Sequence, residues 1–93
     1  PTDLLAVSVG TCMITTMGIA ADQIGVELGK VTCSVKKEMN AKPRRLAKLT
    51  IIINFHDQIP DSKKRSLELS ALNCPAHKSL SIDVEQVTEF NYL

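Results

Sequence analysis

The longest unbroken pattern along the chain is apolar. From Leu4 to Ala21 no side chain carries a charge, and apolar residues recur on every side of a helical projection. That density predicts a helix buried on most of its faces. Thr2 or Asp3, behind Pro1, is expected to cap it, and it should run to about Gly25 or Gly29. Gly10 and Gly18 lower its propensity but allow another backbone to come close. The pattern then changes period. In "KVTCSVKKEM", Val31, Cys33, Val35 and Met39 alternate with Thr32, Ser34, Lys36 and Glu38, as in a half-buried strand. "NAKPR" reads as a turn. "RLAKLTIIINFH" reads as a second strand, with Leu49, Ile51, Ile53 and Phe55 on one face, pairing with the first as an antiparallel hairpin.

After Pro60, an Asp61 or Ser62 cap opens a second helix whose apolar stripe is Leu67, Ala71 and Cys74, spaced i, i+4, i+7. Pro75 interrupts it and suits the first turn of a short new helix over "AHKSL". "SIDVEQVTEFNYL" is a final strand with Ile82 and Val84 inward; the apolar phase then moves to Val87, which predicts a bulge. The order α-β-β-α-β implies an α+β fold, with helices against one face of an antiparallel sheet. There is no repeat, low-complexity tract or linker, so residues 1–93 read as a single domain.

Composition narrows the function classes. A net charge of +1 points to no special partner. Lys30, Lys36, Lys37, Lys42, Arg44, Arg45 and Lys48 cluster, but read as a solvated strand face and turn. A nucleic-acid reader needs stacking rings among its basic residues, and the only aromatics are Phe55, Phe90 and Tyr92. Zinc-finger spacing is absent, with His56 and His77 far apart. The first helix has the length of a membrane span. Its serine, threonines and glycines dilute it, however, and its flanks are acidic Asp3 and Asp22 rather than basic, so no membrane partner is expected. In so short a chain, such a helix needs a partner subunit, or a missing part of the domain, to cover it. The sequence starts at Pro1 rather than Met and is expected to be trimmed or a fragment. Three cysteines are too few, and odd in number, for a disulfide framework; they fit a reducing, cytoplasmic setting.

The cysteines carry the candidate chemistry. Cys33, inward on its strand, reads as a plain buried thiol. Cys12 lies roughly 14 Å into the first helix at 1.5 Å per residue, beyond reach of the helix dipole. It therefore needs donors or a cation from elsewhere to ionise; Ser8 and Thr16, one turn away, offer donors without charge. Cys74, before Pro75, sits where an N-cap would be, with free amides, His77 and Lys78 following, so local chemistry makes it the easier thiol to ionise. If the two helix faces pack together, one thiol can attack and the other resolve to a disulfide.

"PTDLLAVSVGTCMITTMGIAAD" and "ALNCPAHKSL", with "VKKEM…PRRLAKLTI" between them, resemble the OsmC/Ohr family of osmotically induced and organic-hydroperoxide-resistance proteins, closest to its OsmC-like branch. The resemblance implies a buried pair of cysteine-bearing helices, an intertwined homodimer with active sites at the subunit interface, and a domain here lacking the family's N-terminal strands. It implies a thiol peroxidase: Cys12 attacks an organic hydroperoxide and becomes a sulfenic acid, and Cys74 resolves it to a Cys12–Cys74 disulfide. An external dithiol, of lipoyl type in the Ohr branch, then reduces the disulfide. No metal or bound cofactor is implied. The family's glutamate ten residues before the attacking cysteine, which holds an activating arginine, is Thr2 here, and that arginine lies upstream of this chain. The activating cation then belongs to a longer protein, or Arg44 or Arg45 substitutes, or activity is weak. The competing reading is a catalytically weak or inactive dimeric module, binding a small apolar ligand in its cleft.

Overall fold

The computed structural model describes residues 1–93 as α1 (Thr2–Gln23), β1 (Val31–Asn40), β2 (Arg45–Phe55), α2 (Asp61–Leu72), α3 (Pro75–Ser79) and β3 (Glu85–Asn91). The three strands form one sheet in the order β1-β2-β3. β1 and β2 make the expected antiparallel hairpin, Val31 opposite Phe55 and Val35 opposite Ile51. β3 departs from expectation: it runs parallel to β2, Gln86 beside Leu49 and Phe90 beside Ile53, so the sheet is mixed rather than antiparallel. The cause is the connection. α2 and α3 lie between the two strands, and a crossover of that length returns the chain to the edge in the same direction.

β2 is the spine of the core. Leu46, Leu49, Ile51, Ile53 and Phe55 are buried, and full burial of each such side chain stabilises the fold by about 1.5–3 kcal/mol. α1 meets the sheet along Ala6, Val9, Gly10, Met13, Met17 and Ala21, one stripe at helical spacing. Gly10 sets the approach. A Cβ there would lie 2.7 Å from Val35 Cγ2 and 2.9 Å from Cys33 Sγ, so only glycine lets α1 sit this close to β1. Gly18 has no such role, because nothing lies within 4 Å of its would-be Cβ. Burial on most sides of α1 is not realised within one chain: Leu4, Val7 and Ile19 are 75%, 57% and 58% exposed. The helix is long and apolar enough to cross a membrane by composition, yet its buried stripe belongs to the core cluster.

The helix starts also differ. Neither α1 nor α2 has a side-chain cap; Pro1 and Pro60 occupy the cap positions. Thr2 and Asp3 are instead engaged by Lys37, and Asp61 pairs with Lys64 at 2.6 Å. The predicted bulge near Val87 is absent, since β3 keeps continuous register with β2. The irregularity lies in the hairpin, where Glu38 pairs with Lys48 but Met39 pairs with Leu46. Met39 is accordingly exposed. In β3 the even positions stay inward throughout, so Gln86 and Thr88 hold half-buried places that the apolar pattern had reassigned to Val87. Ile82 precedes the strand and is 98% exposed rather than inward, while Val84 packs against the core.

Candidate active site

Cys12 lies on the flank of α1's buried stripe, half-buried at the edge of the core. Cys74 is fully buried and belongs to neither α2 nor its stripe: it is the N-cap of α3. Pro75 at the first helical position makes this possible, because it needs no acceptor and its fixed φ starts the turn. The His77 amide donates to Cys74 Sγ at 3.2 Å. α3 packs on α1, and this contact brings the two cysteines side by side.

Their ionisation is opposite to what local sequence suggests. The Cys12 thiol is held below the ordinary thiol value, chiefly by the Ala76 backbone amide, with further donation from Cys74 and Thr16. Burial opposes this but does not win. Cys74 is pushed up, first by burial; the His77 amide counteracts, and donation of its proton to Cys12 adds to the rise. The N-cap expected at Cys74 is real, but desolvation outweighs it. The amides of α3 thus serve the neighbouring thiol as well as the capping one. Sequence reading missed Ala76 because a backbone amide leaves no residue-type signal. Cys33 is apart from this pair, against Gly10 and Val35 beside a cavity of about 130 Å³, and burial alone raises it.

The basic residues divide. Arg44 is exposed in the hairpin turn. Arg45 donates to the carbonyl oxygens of Leu46 and Asp83 at 2.9 and 3.4 Å. Neither reaches Cys12, whose thiol is lowered by hydrogen-bond donors and by no cation of its own chain. Lys37 is the exception to the solvated face: its half-buried side chain donates to Thr2 Oγ1 and pairs with Asp3 at 3.0 Å. A lysine at the positive end of a helix is unfavourable by dipole alone, so Asp3 is what makes the placement tenable. Between Thr2, Arg45 and α3's far end lies an open cavity of about 330 Å³, walled by Leu5, Leu46, Leu80 and Val84. Three side-chain atoms on α3 and β3 are buried without partners: His77 Nδ1, Gln86 Oε1 and Thr88 Oγ1. No group of three or more His, Cys, Asp or Glu is arranged to hold a metal.

Comparison with known proteins identifies the family and the fold. The family model described as OsmC-like protein matches residues 1–87. A structure from Psychrobacter arcticus, described as an osmotic stress induced and detoxification response protein, is 36% identical with a TM-score of 0.91; the match covers 98% of this chain and 66% of that one. An OsmC like protein from Mycoplasma pneumoniae superposes with a TM-score of 0.86 at 15% identity, over 100% of this chain and 71% of its own. The organic hydroperoxide resistance protein OhrB of Bacillus subtilis gives 0.75 at 19% identity, over 98% and 69%. The last two show the fold alone. No match is found among curated proteins.

Proposed function

Because the chain belongs to the OsmC-like protein family, we propose that it is a cysteine-based peroxidase of organic hydroperoxides, working through Cys12 and Cys74. The observation that carries the reading is the asymmetry of the pair: one thiol lowered by the Ala76 amide and the Cys74 proton, the other buried, raised and adjacent. Several neighbours are named as organic hydroperoxide resistance proteins, which supports the substrate class.

The chemistry balances without a bound cofactor. The Cys12 thiolate attacks the outer oxygen of a hydroperoxide; the O–O bond breaks, an alkoxide leaves and takes a proton to become the alcohol, and Cys12 becomes a sulfenic acid. Cys74 then attacks that sulfur, an S–S bond forms, and the sulfenic oxygen leaves as water. An external dithiol, such as a lipoyl group, reduces the disulfide to two thiols and is itself oxidised. Stored as free thiols, all three cysteines suit a reducing compartment.

The working unit in this reading is a homodimer. Leu4, Val7 and Ile19 line an exposed face of α1 whose burial a second copy would supply.

The test is mass spectrometry of the reduced protein after one equivalent of cumene hydroperoxide. Rapid loss of two hydrogens, mapped to a Cys12–Cys74 peptide pair, is expected. Unchanged thiols, or slow scattered oxidation that includes Cys33, would overturn it. That negative result is what the second reading expects: a module without peroxidase chemistry, binding an apolar ligand in the Leu5–Leu80 cavity. The lack of a cation beside Cys12 within one chain favours this second reading.

A further inference from the structure

The inward face of β3 contains a chemical oddity. Its neighbour β2 presents only Leu49, Ile51 and Ile53 there, all fully buried, yet β3 sets Gln86 and Thr88 beside them. A buried amide is costly unless paired. Gln86 is only half paired: its Nε2 donates to the His77 carbonyl at 3.0 Å, while its Oε1 has no partner. An apolar side chain would avoid that deficit, so the donated bond is the feature that explains an amide here.

That bond reaches a helix unable to hold itself. α3 has five residues, Pro75–Ser79, none of them buried. So short a helix is far below the length that is stable alone. Apart from what the Ala76 amide gives Cys12, the other hydrogen bonds on α3 come from its own segment: His77 N to Cys74 Sγ, Lys78 N to the Cys74 carbonyl and Ser79 Oγ to the Pro75 carbonyl. Gln86 supplies the one hydrogen bond joining α3 to the sheet. The geometry has two ends: the His77 amide donates to Cys74 Sγ at 3.2 Å, and the carbonyl of the same residue is held from behind.

We propose that Gln86 is a positioning residue, which by gripping the His77 carbonyl holds α3 against α1, keeping the His77 amide on Cys74 Sγ and the first turn of α3 beside Cys12. It touches neither sulfur and acts through α3 alone. The inference rests on Cys12 being the reactive thiol. The groups acting on that sulfur are Cys74 and the Ala76 amide from the α3 side and Thr16 from its own helix; no charged side chain is among them.

The experiment is the pH profile of Cys12 alkylation by iodoacetamide, followed by peptide mass spectrometry, in the wild type, Gln86→Leu and Thr88→Val. Gln86→Leu removes the grip and the unpaired oxygen together, so the fold should be no less stable, with an unlowered Tm. Cys12 alkylation near neutral pH should fall about threefold to tenfold, its midpoint moving up by about half to one pH unit. Thr88→Val, equally buried but not bonded to α3, should leave the profile unchanged. Gln86→Met, which removes the donor without adding a charge, should reproduce the loss, and serves if Gln86→Leu fails to fold. A wild-type profile in both Gln86 variants overturns the proposal, as does an equal shift in Thr88→Val. The readout does not involve peroxide: a shifted profile in a protein that consumes no hydroperoxide would retain Gln86's role and remove the peroxidase reading.

Discussion

Two polar clusters flank α2, and they are built on opposite terms. At its first turns, Tyr92 stacks on Phe55 with ring centroids 4.6 Å apart, donates its hydroxyl to Glu68 at 2.6 Å and lies under the Lys64 ammonium at 4.4 Å. Every polar group there has a partner, and the cluster fastens the C-terminus to the helix. Past its last turn, the Cys12–Cys74 cluster is built from donors without charge: the His77 amide donates to Cys74 Sγ at 3.2 Å, and no charged side chain acts on Cys12. A satisfied network fixes a structure; donors waiting for charge are what an ionising thiol needs. The same chain thus satisfies one end of α2 with paired side chains and the other with backbone donors to sulfur.

The contrast is broken most severely by Cys12→Ser. Peroxide consumption should fall at least about a thousandfold, with far-UV circular dichroism unchanged. Cys74→Ser should keep the first turnover but halt at a sulfenic acid, detected as a dimedone adduct. Lys37→Met should leave Cys12 alkylation unchanged and cost at most about 1 kcal/mol in urea unfolding, since it removes only the pairing with Asp3 and Thr2. Gly10→Ala should cost about 1–3 kcal/mol in urea unfolding, since the added Cβ collides with Val35 and Cys33 on a strand.

At the closed end, Tyr92→Phe should cost about 1 kcal/mol and leave Cys12 alkylation untouched. Sharing of alkylation and stability effects between the two ends would erase the contrast between them.

The smallest effect is in pH. Tyr92 is raised by burial, then by its bond to Glu68 and that carboxylate's charge. A raised acid contributes stability that is full below its unfolded value, near 10, and is lost as pH rises toward its folded value. Urea midpoints should therefore fall more between about pH 8 and about pH 10.5 in the wild type than in Tyr92→Phe. Cys12 has the opposite sign: its lowered thiol contributes stability above the unfolded thiol value, and this is lost as pH falls through its folded value. Cys74, raised, behaves like Tyr92.

The hairpin was legible because each of its strands alternates cleanly and a turn of five residues allows only one direction. The direction of β3 was not, because the apolar period carries no information about which way a strand enters a sheet after a helical crossover. Its inward face was misread at Gln86 and Thr88 for a related reason: the pattern assumes that inward means apolar, and these two positions break that assumption. Thr2, Asp3 and Lys37 likewise looked like a cap and a solvated base; only the packing of α1 on β1 joins them.

By itself the sequence determined the elements, the β1–β2 register face, the Cys-Pro start of α3 and, through its two motifs, the family. These are local properties, set by side-chain period, by proline's missing N–H and by residue order. The tertiary structure decided which thiol is lowered and which is raised. Helix position and capping favoured Cys74, but the balance lies between burial and backbone donors. Both depend on which surfaces meet: packing α3 on α1 buries Cys74 and turns the Ala76 amide toward Cys12.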